Sequence, residues 1–368
     1  MRGLPGSGTH IVLRGIDGAG RLARGAGRGV GLARRLGVAG GAQGRLEARV
    51  LGELCRDVDV IYANTIVATG PLLRVPPRLP AVLHLHEMGS SLRWLADGLA
   101  DEAGLSSERY LEAVFGRVEA VVVPSEAVAA DVAVLYPKAA PLLHTVPEIL
   151  PSRPPGGDLP SARHELGIRD GTPLVVACGT VGWRKGTDLF LAVAAALRDT
   201  EAHFLWVGVP WAAAPGAPRR RAQLEFEWDV ARSGLGRRVT AVPEVDDPTR
   251  YFVAADVLLL PSREDPYPIV ALEAGAAGCP IVCFDSCGSA VWVRAGAGLV
   301  VPHLDLAGMA QAVRRLIDDE GLRGSLGDTA RRLSHQSDVQ LVGPRLLDLV
   351  DGARRGGLTG GSEGTAQP

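Results

Sequence analysis

The sequence predicts an α/β protein made of two Rossmann-like domains, each with a doubly wound parallel sheet, that face a central cleft. Short apolar runs alternate with helical segments, as in βαβ units. The runs are apolar almost throughout, as expected of strands covered on both faces. This alternation stops at a proline-rich segment and then starts again. The length of 368 residues also suits about two domains of roughly 150 residues.

Four apolar runs precede the interruption and six follow it. The predicted strands are 10–14, 58–63, 81–85, 118–123, 174–178, 204–207, 239–242, 257–260, 280–284 and 298–301. Ser125 is a suitable N-cap for a helix over 126–135, because its hydroxyl can accept a hydrogen bond from the first turn. Further helices are predicted over 188–198, 269–277, 306–318 and 338–350, the last one bent at Pro344.

The domain boundaries follow from composition. Residues 147–160 contain five prolines and two glycines, which is typical of a linker. We therefore expect domains over 1–146 and 161–335. A terminal helix over 336–352 is expected to pack back on the N-terminal domain, and the glycine-rich tail 353–368 is expected to be disordered.

Charge and hydropathy exclude several classes of function. Lys and Arg total 39 against 41 Asp and Glu, so no overall positive field attracts nucleic acid. No apolar run approaches the ~20 residues of a membrane-spanning helix, and no signal-peptide stretch opens the chain. We expect a cytoplasmic protein with at most peripheral membrane association. The five cysteines are expected to be reduced, structural thiols.

The stretch PSREDPYPIVALEAG (261–275) places polar groups where a predicted strand ends and a helix begins. The first-turn amides of Ile269 and Val270 have no intrahelical acceptor and suit phosphate or sugar oxygens. The carboxylates of Asp265 and Glu273 can accept hydrogen bonds from paired sugar hydroxyls. Taken alone, the same pattern equally fits a solvated acidic loop.

The stretch CGTVGWRKG (178–186) has a comparable position, between a strand and a helix. Its glycines, Gly179 among them, permit close backbone approach, and Arg184 and Lys185 add two positive charges at a helix N-terminus. This combination favours a diphosphate. The alternative is a tight turn with two solvated bases.

In the N-terminal half, a predicted strand ends in the motif VLHLHEMG. His86 is expected to face the cleft, with Glu87 orienting it, whereas His84 lies one pleat deeper in the strand. Two histidines at this spacing also suggest zinc, but no third ligand is evident. Asn64 and Thr65, at the end of the neighbouring strand, are weaker candidates for contacts with an acceptor.

Taken together, GTVGWRKGTDLFL and PSREDPYPIVALEAGAAGCPIVCFD resemble the donor-binding half of the family-four retaining glycosyltransferases of the GT-B fold. The resemblance extends over most of residues 57–320. It implies that Asp265 binds donor-sugar hydroxyls, that Glu273 binds the nucleotide ribose, and that Arg184 and Lys185 stabilise the leaving diphosphate. It also implies a functional histidine near the donor sugar, a role that His86 fits.

The resemblance implies a nucleotide-sugar donor and an acceptor hydroxyl on a glycan, a lipid-linked saccharide or a small molecule. The N-terminal domain would take the acceptor and the C-terminal domain the donor. No cofactor or metal is expected, because Arg184 and Lys185 would neutralise the diphosphate. Competing hypotheses are a degenerate donor-binding module acting as a regulatory subunit, and a nucleotide-sugar epimerase.

Several positions differ from the family pattern. Asp265 replaces the usual Glu, Thr180 lies in the donor-binding turn where many relatives have Arg, and CGSAV (287–291) lacks a glycine and an acid of the usual loop. The family's opening strand–loop–helix unit is expected to be missing before HIVLRG, because of either a misassigned start or a reduced sheet.

Overall fold

The computed structural model describes residues 10–13, 53, 55–56, 58–75, 77–150, 163–169, 171–209 and 221–356. Most of the expected linker and of the expected disordered tail lie outside these residues. The contacts divide the chain into two compact units. Unit 1 comprises Met1–Val146 with Pro344–Pro368, and unit 2 comprises Pro147–Gly343.

Unit 1 is built on a parallel sheet whose five strands follow their order in the chain. The strands are β1 (His10–Leu13), β2 (Val60–Asn64), β3 (Ala81–His84), β4 (Ala120–Val123) and β5 (Leu143–Thr145). Every residue of β3 and β4 is buried, as expected for central strands of a parallel sheet. Asn64 lies opposite His84 in the register, so polar residues end two neighbouring strands together.

The helices of unit 1 are α1 (Thr69–Leu72), α2 (Gly89–Ala103), α3 (Ser107–Phe115) and α4 (Glu126–Leu135). As the sequence predicts, Ser125 caps α4 by accepting a hydrogen bond from the amide of Val128 at 3.4 Å. Ser106 caps α3 in the same way, through the amide of Arg109. In unit 1, the helices α1, α2 and α3 and the strand β5 were not predicted from the sequence.

Unit 2 contains a six-stranded parallel sheet in the order β11-β10-β9-β6-β7-β8. Its strands are β6 (Leu174–Cys178), β7 (His203–Val209), β8 (Val239–Pro243), β9 (Val257–Leu260), β10 (Ile281–Phe284) and β11 (Gly298–Val301). The order reverses between β6 and β9, which makes this sheet doubly wound. Ligands of such sheets bind beyond the carboxyl ends of the strands at this switch point.

The helices of unit 2 cover both faces of the sheet. They are α5 (Thr187–Ala196), α6 (Arg221–Arg232), α7 (Thr249–Ala254), α8 (Ile269–Ala277), α9 (Ala290–Trp292), α10 (Leu306–Asp318) and α11 (Glu320–Ser334), and α12 (Val339–Arg355) crosses into unit 1 at Pro344. Successive residues of β6 enter different cores: Val175 packs in one and Val176 in the other. This alternation follows from the two-residue period of a strand.

The five cysteines are free thiols, as the sequence predicts. Within the described residues, no helix combines the length and the apolarity that a membrane crossing requires.

Candidate functional site

At the switch point of unit 2, the turn after β6 contacts the loop after β9. The Lys185 ammonium donates to Asp265 Oδ2 at 2.7 Å, and the Ser262 hydroxyl donates to the same oxygen at 3.0 Å. The Lys185 side chain is 16% exposed and that of Asp265 is 5% exposed. A charge-assisted contact with so little solvent is stronger than a surface pair. The two motifs singled out in the sequence therefore meet at one point.

Backbone contacts hold the turn and the loop together. The Arg263 amide donates to the carbonyl of Arg184 at 2.9 Å, and the Arg184 guanidinium donates to the carbonyl of Glu264 at 2.9 Å. Arg263 also makes a two-pronged contact with Asp188, with distances of 2.9 and 2.7 Å. These contacts with Arg263 hold the pKa of Asp188 below its ordinary value. The Arg184 guanidinium, predicted to bind phosphate, thus reaches the loop backbone.

The turn needs glycine at its last residue. Gly186 has φ of 70°, and a Cβ there would lie 2.0 Å from the Pro261 carbonyl oxygen. At the start of the turn, the side chain of Lys185 lies over Gly179, where a Cβ would be 3.3 Å from the lysine Cδ and Cε. The glycines thus let the lysine lie flat against the turn and let the turn approach β9.

Gly179 and Thr180 were both expected to contact a donor. The amide of Gly179 donates to the Val207 carbonyl at 2.8 Å, and its carbonyl accepts from the Trp206 indole at 2.8 Å. Both backbone groups of Gly179 therefore serve the internal packing of unit 2. Thr180 is exposed, and its role stays a prediction.

Glu273 lies on α8, which begins after Pro268 and carries the amides of Ile269 and Val270 in its first turn. Burial, and secondarily the Asp247 carboxylate, raises the pKa of Glu273. Burial and the charge of Glu273 raise the pKa of Cys178 to about 12, while Lys185 opposes that rise. The thiol of Cys178 thus lies within electrostatic range of both Glu273 and Lys185.

Ser262 and Cys178 also lie at this site, although neither was predicted from the sequence as a site residue. Cys178 is the last residue of β6, and Ser262 lies two residues after the end of β9, so both are at carboxyl ends next to the switch point. The sequence signal that could have identified them is a small polar residue at the carboxyl end of a predicted strand, where ligands of such sheets bind.

Unit 1 has its own polar cluster at the ends of β2 and β3. His86 Nε2 lies 2.8 Å from Asn64 Oδ1. The Glu87 carboxylate accepts hydrogen bonds from the Thr65 hydroxyl, from the Ile66 amide at 3.2 Å and from the His86 amide at 3.1 Å. We expected Glu87 to orient the ring of His86. Glu87 instead contacts the backbone of His86, and Asn64 contacts the ring, because the parallel register brings the end of β2 beside β3.

His84 is buried in the sheet, as predicted, and is 7% exposed. Its Nδ1 shares a hydrogen bond with the Tyr62 hydroxyl, and its ring centroid lies 4.0 Å from that of His86. Burial, followed by the charge of His86, lowers the pKa of His84 to about 3. His84 is therefore a neutral ring that packs against His86.

Comparison with known proteins supports this description of unit 2. Residues 172–319 match the family described as "Glycosyl transferases group 1". The D-inositol 3-phosphate glycosyltransferase 1 of Catenulispora acidiphila is 28% identical over an alignment of 295 residues that covers 74% of this chain and 68% of that protein. The D-inositol 3-phosphate glycosyltransferase of Nocardia farcinica is 35% identical over an alignment of 171 residues that covers 44% of this chain and 37% of that protein.

Solved structures show the same fold. Anabaena HepE in complex with UDP and glucose superposes with a TM-score of 0.68 at 21% identity, covering 84% of this chain and 83% of HepE. Sucrose-phosphate synthase from Thermosynechococcus elongatus gives a TM-score of 0.64 at 22% identity, covering 81% and 74%. Residues 172–319 therefore match the group 1 glycosyltransferase family, and the chain has the GT-B fold of these structural neighbours.

Proposed function

We propose that this protein is a retaining glycosyltransferase that moves a sugar from a nucleotide-sugar donor to an acceptor hydroxyl. The observation that carries the proposal is the contact between Lys185 and Asp265 at the switch point of unit 2. It puts a cation for the diphosphate and a carboxylate for sugar hydroxyls within one hydrogen bond of each other.

The proposed donor contacts follow from the chemistry of each group. An ammonium has three hydrogens, so Lys185 can keep Asp265 as a partner and still donate to phosphate oxygens. Arg184 and the first-turn amides of α8, at Ile269 and Val270, add further donors for the anionic diphosphate. Glu273, one more turn along α8, accepts from the ribose hydroxyls.

In this proposal the positive side chains do the electrostatic work of the reaction. As the bond between the sugar and the diphosphate breaks, negative charge grows on the leaving phosphate, and fixed cations near it lower the barrier. Lys185 and Arg184 supply this charge, so we propose that transfer needs no metal or cofactor. From unit 1 the proposal takes His86 as a group acting on the donor sugar, on the basis of the family resemblance.

The acceptor class is proposed from the same resemblance: a glycan, a lipid-linked saccharide or a small molecule. The relatives' names include D-inositol 3-phosphate glycosyltransferases and a lipopolysaccharide core mannosyltransferase of Rhizobium meliloti that is 30% identical over 168 residues. Inositol phosphates and oligosaccharides are therefore the first acceptors to test.

The test incubates the protein with a panel of nucleotide sugars and these acceptors, with and without EDTA, and follows the product anomer by NMR. We expect transfer with retained configuration in EDTA. Lys185→Ala should lower kcat/KM by about 100-fold or more, because it removes charge stabilisation from the transition state. The matched control is Lys138→Ala, whose side chain is 75% exposed in unit 1.

Product of inverted configuration, or transfer abolished by EDTA, would contradict the retaining or the metal-independent part of the proposal. If nucleoside diphosphates bind in calorimetry but no donor is turned over, the chain acts as a donor-binding module. If Lys185→Ala keeps full activity, the contact between Lys185 and Asp265 no longer supports the proposal.

A further inference from the structure

One guanidinium holds both ends of the segment that carries Lys185. Nη1 of Arg263 donates to the carbonyl of Trp183, which precedes the lysine, at 2.9 Å. The same guanidinium donates two hydrogen bonds to the carboxylate of Asp188, which follows the lysine, at 2.9 and 2.7 Å. Its Cζ also lies 5.2 Å from the centre of the Trp183 ring, within the range of a cation–π contact. Arg263 therefore fastens the turn on either side of Lys185.

The arrangement requires an arginine. A guanidinium presents five N–H donors in one rigid plane, so it can reach a carbonyl and both oxygens of a carboxylate at once, whereas an ammonium acts as a point charge. The Arg263 side chain is 14% exposed and that of Asp188 is 53% exposed. Water therefore has little access to the fork that makes these contacts.

The other end of this connection lies next to the partner of Lys185. The amide of Arg263 donates to the carbonyl of Arg184 at 2.9 Å, and Asp265, two residues after Arg263, accepts from the Lys185 ammonium at 2.7 Å. The ammonium of a lysine sits on a flexible four-carbon stem. It stays at one point only if the backbone that carries it is fixed relative to its partner, and Arg263 supplies that connection.

We propose that Arg263 and Asp188 are positioning residues for Lys185: their pair fixes the backbone on either side of the lysine and so determines where its ammonium lies. The proposal gives neither residue a contact with the donor. Without the pair, the turn shifts and the ammonium leaves both Asp265 and the place of the diphosphate. The consequence for the diphosphate rests on the proposed function, whereas the position of the ammonium does not.

The first test observes the ammonium directly, because the chain contains only two lysines, Lys138 and Lys185. Protein labelled with ¹⁵N-lysine is studied by ¹H–¹⁵N NMR of the ammonium groups at low temperature and mildly acidic pH. The Lys138 side chain is 75% exposed, so its ammonium hydrogens exchange rapidly with water. Those of Lys185 are held by Asp265. Wild type should therefore show one slowly exchanging signal, which Lys185→Met removes.

Arg263→Ala should broaden this signal and shift it toward its position in Asp265→Asn, in which the ammonium has lost its charged partner. Asp188→Asn removes one acceptor and the charge at a half-exposed position, and should shift the signal in the same direction. The matched control is Arg314→Ala, which removes an exposed ion pair of the same unit and should leave the Lys185 signal unchanged.

An unchanged signal in Arg263→Ala overturns the proposal, and so does the absence of a slowly exchanging lysine signal from wild type. If Arg263→Ala does not fold, an unchanged signal in Asp188→Asn has the same meaning.

The second test determines whether Arg263 acts through Lys185. Arg263→Ala should lower kcat/KM by about 100-fold, as expected when a group that acts on the reaction is misplaced by about 1 Å. In the Lys185→Ala background the same change should have little further effect, because both substitutions remove one contribution. Losses that multiply in the double variant would show that Arg263 acts independently of Lys185, and would overturn the proposal.

The two tests distinguish this proposal from the proposed function. If wild type neither transfers sugar nor binds nucleoside diphosphates, the proposed function fails, and the ammonium signal still decides the role of Arg263 and Asp188. If wild type is active and Arg263→Ala turns over normally with a displaced ammonium, the link between the position of Lys185 and the reaction is overturned.

Discussion

Lys185 and Asp265 are eighty residues apart in the chain, yet the ammonium of one lies 2.7 Å from the carboxylate of the other. Each follows a different strand of unit 2, and β6 and β9 are neighbours only because the strand order reverses between them. The pair is therefore a product of the sheet topology, and its energetics can be measured without knowledge of a substrate.

Replacing Lys185 by methionine should lower the free energy of unfolding of unit 2 by about 3 kcal/mol, because it leaves the Asp265 carboxylate buried without its cation. The double variant with Asp265→Asn should recover most of this loss. Urea denaturation followed by tryptophan fluorescence measures it. As a control, Arg314→Ala removes an exposed pair with Asp199 and should change the free energy of unfolding far less, because solvent screens surface pairs. Equal losses for the two single variants would contradict the burial argument.

Gly186→Ala should destabilise unit 2 by about 3 kcal/mol or more, since it combines a left-handed backbone with a severe clash. The new Cβ would lie 2.0 Å from the Pro261 carbonyl oxygen. Gly234→Ala is the matched control: Gly234 has φ of 73° and no atom within 4 Å of the added carbon. Gly234→Ala should lower the free energy of unfolding by only about 1–2 kcal/mol, which is the cost of placing a non-glycine residue in the left-handed region. The same urea experiment compares them, and similar values would exclude the close approach of the turn to β9.

Cys178 should react very slowly with iodoacetamide at neutral pH, because its pKa is raised to about 12 and the thiolate is the reactive form. Glu273→Gln removes a negative neighbour and should speed alkylation between pH 9 and about 11. Lys185→Met should slow the alkylation.

The pKa of Cys178 in the folded protein is above the ordinary 9.0. The stability that this thiol contributes is therefore complete below pH 9.0 and is lost as the pH rises toward 12. Mass spectrometry of the labelled peptide measures the alkylation rates of Cys178. If Glu273→Gln reacts at the wild-type rate, the Glu273 carboxylate does not influence the thiol.

His84 should make unit 1 sensitive to acid. Its pKa falls from 6.5 to about 3 on folding, so its contribution to stability is complete above pH 6.5 and is lost as the pH falls toward 3. Wild type should lose about 1.4 kcal/mol per pH unit more than His84→Gln across that window. Hydrogen exchange at β3 and β4, corrected for its intrinsic pH dependence, measures the difference. The control is His164→Gln, at an exposed position, whose stability should depend on pH as in wild type. If the stability of His84→Gln also depends on pH as in wild type, His84 is not the source of the acid sensitivity.

Much of the secondary structure of unit 2 could be predicted from the sequence, because its apolar runs are short and have clear boundaries. The predicted bounds of Leu174–Cys178, Val257–Leu260, Ile269–Ala277 and Leu306–Asp318 agree with the structure. The helices α1, α2, α3, α6, α7, α9 and α11 and the strand β5 were not predicted. Apart from its N-terminal cap, α11 has no signal that stands out against its three arginines and three glycines, and its helical state depends on packing against α8 through residues such as Ala330.

The amino-acid order alone determined which groups are available: a basic glycine turn, an acid-rich loop leading into a helix, and a histidine after a buried strand. Local patterns suffice for this, because strand and helix periods and proline placement act over a few residues. Which of these groups touch was decided by the tertiary structure. The reversal of strand order joins Lys185 to Asp265, and the parallel register of β2 and β3 places Asn64, rather than Glu87, against the ring of His86.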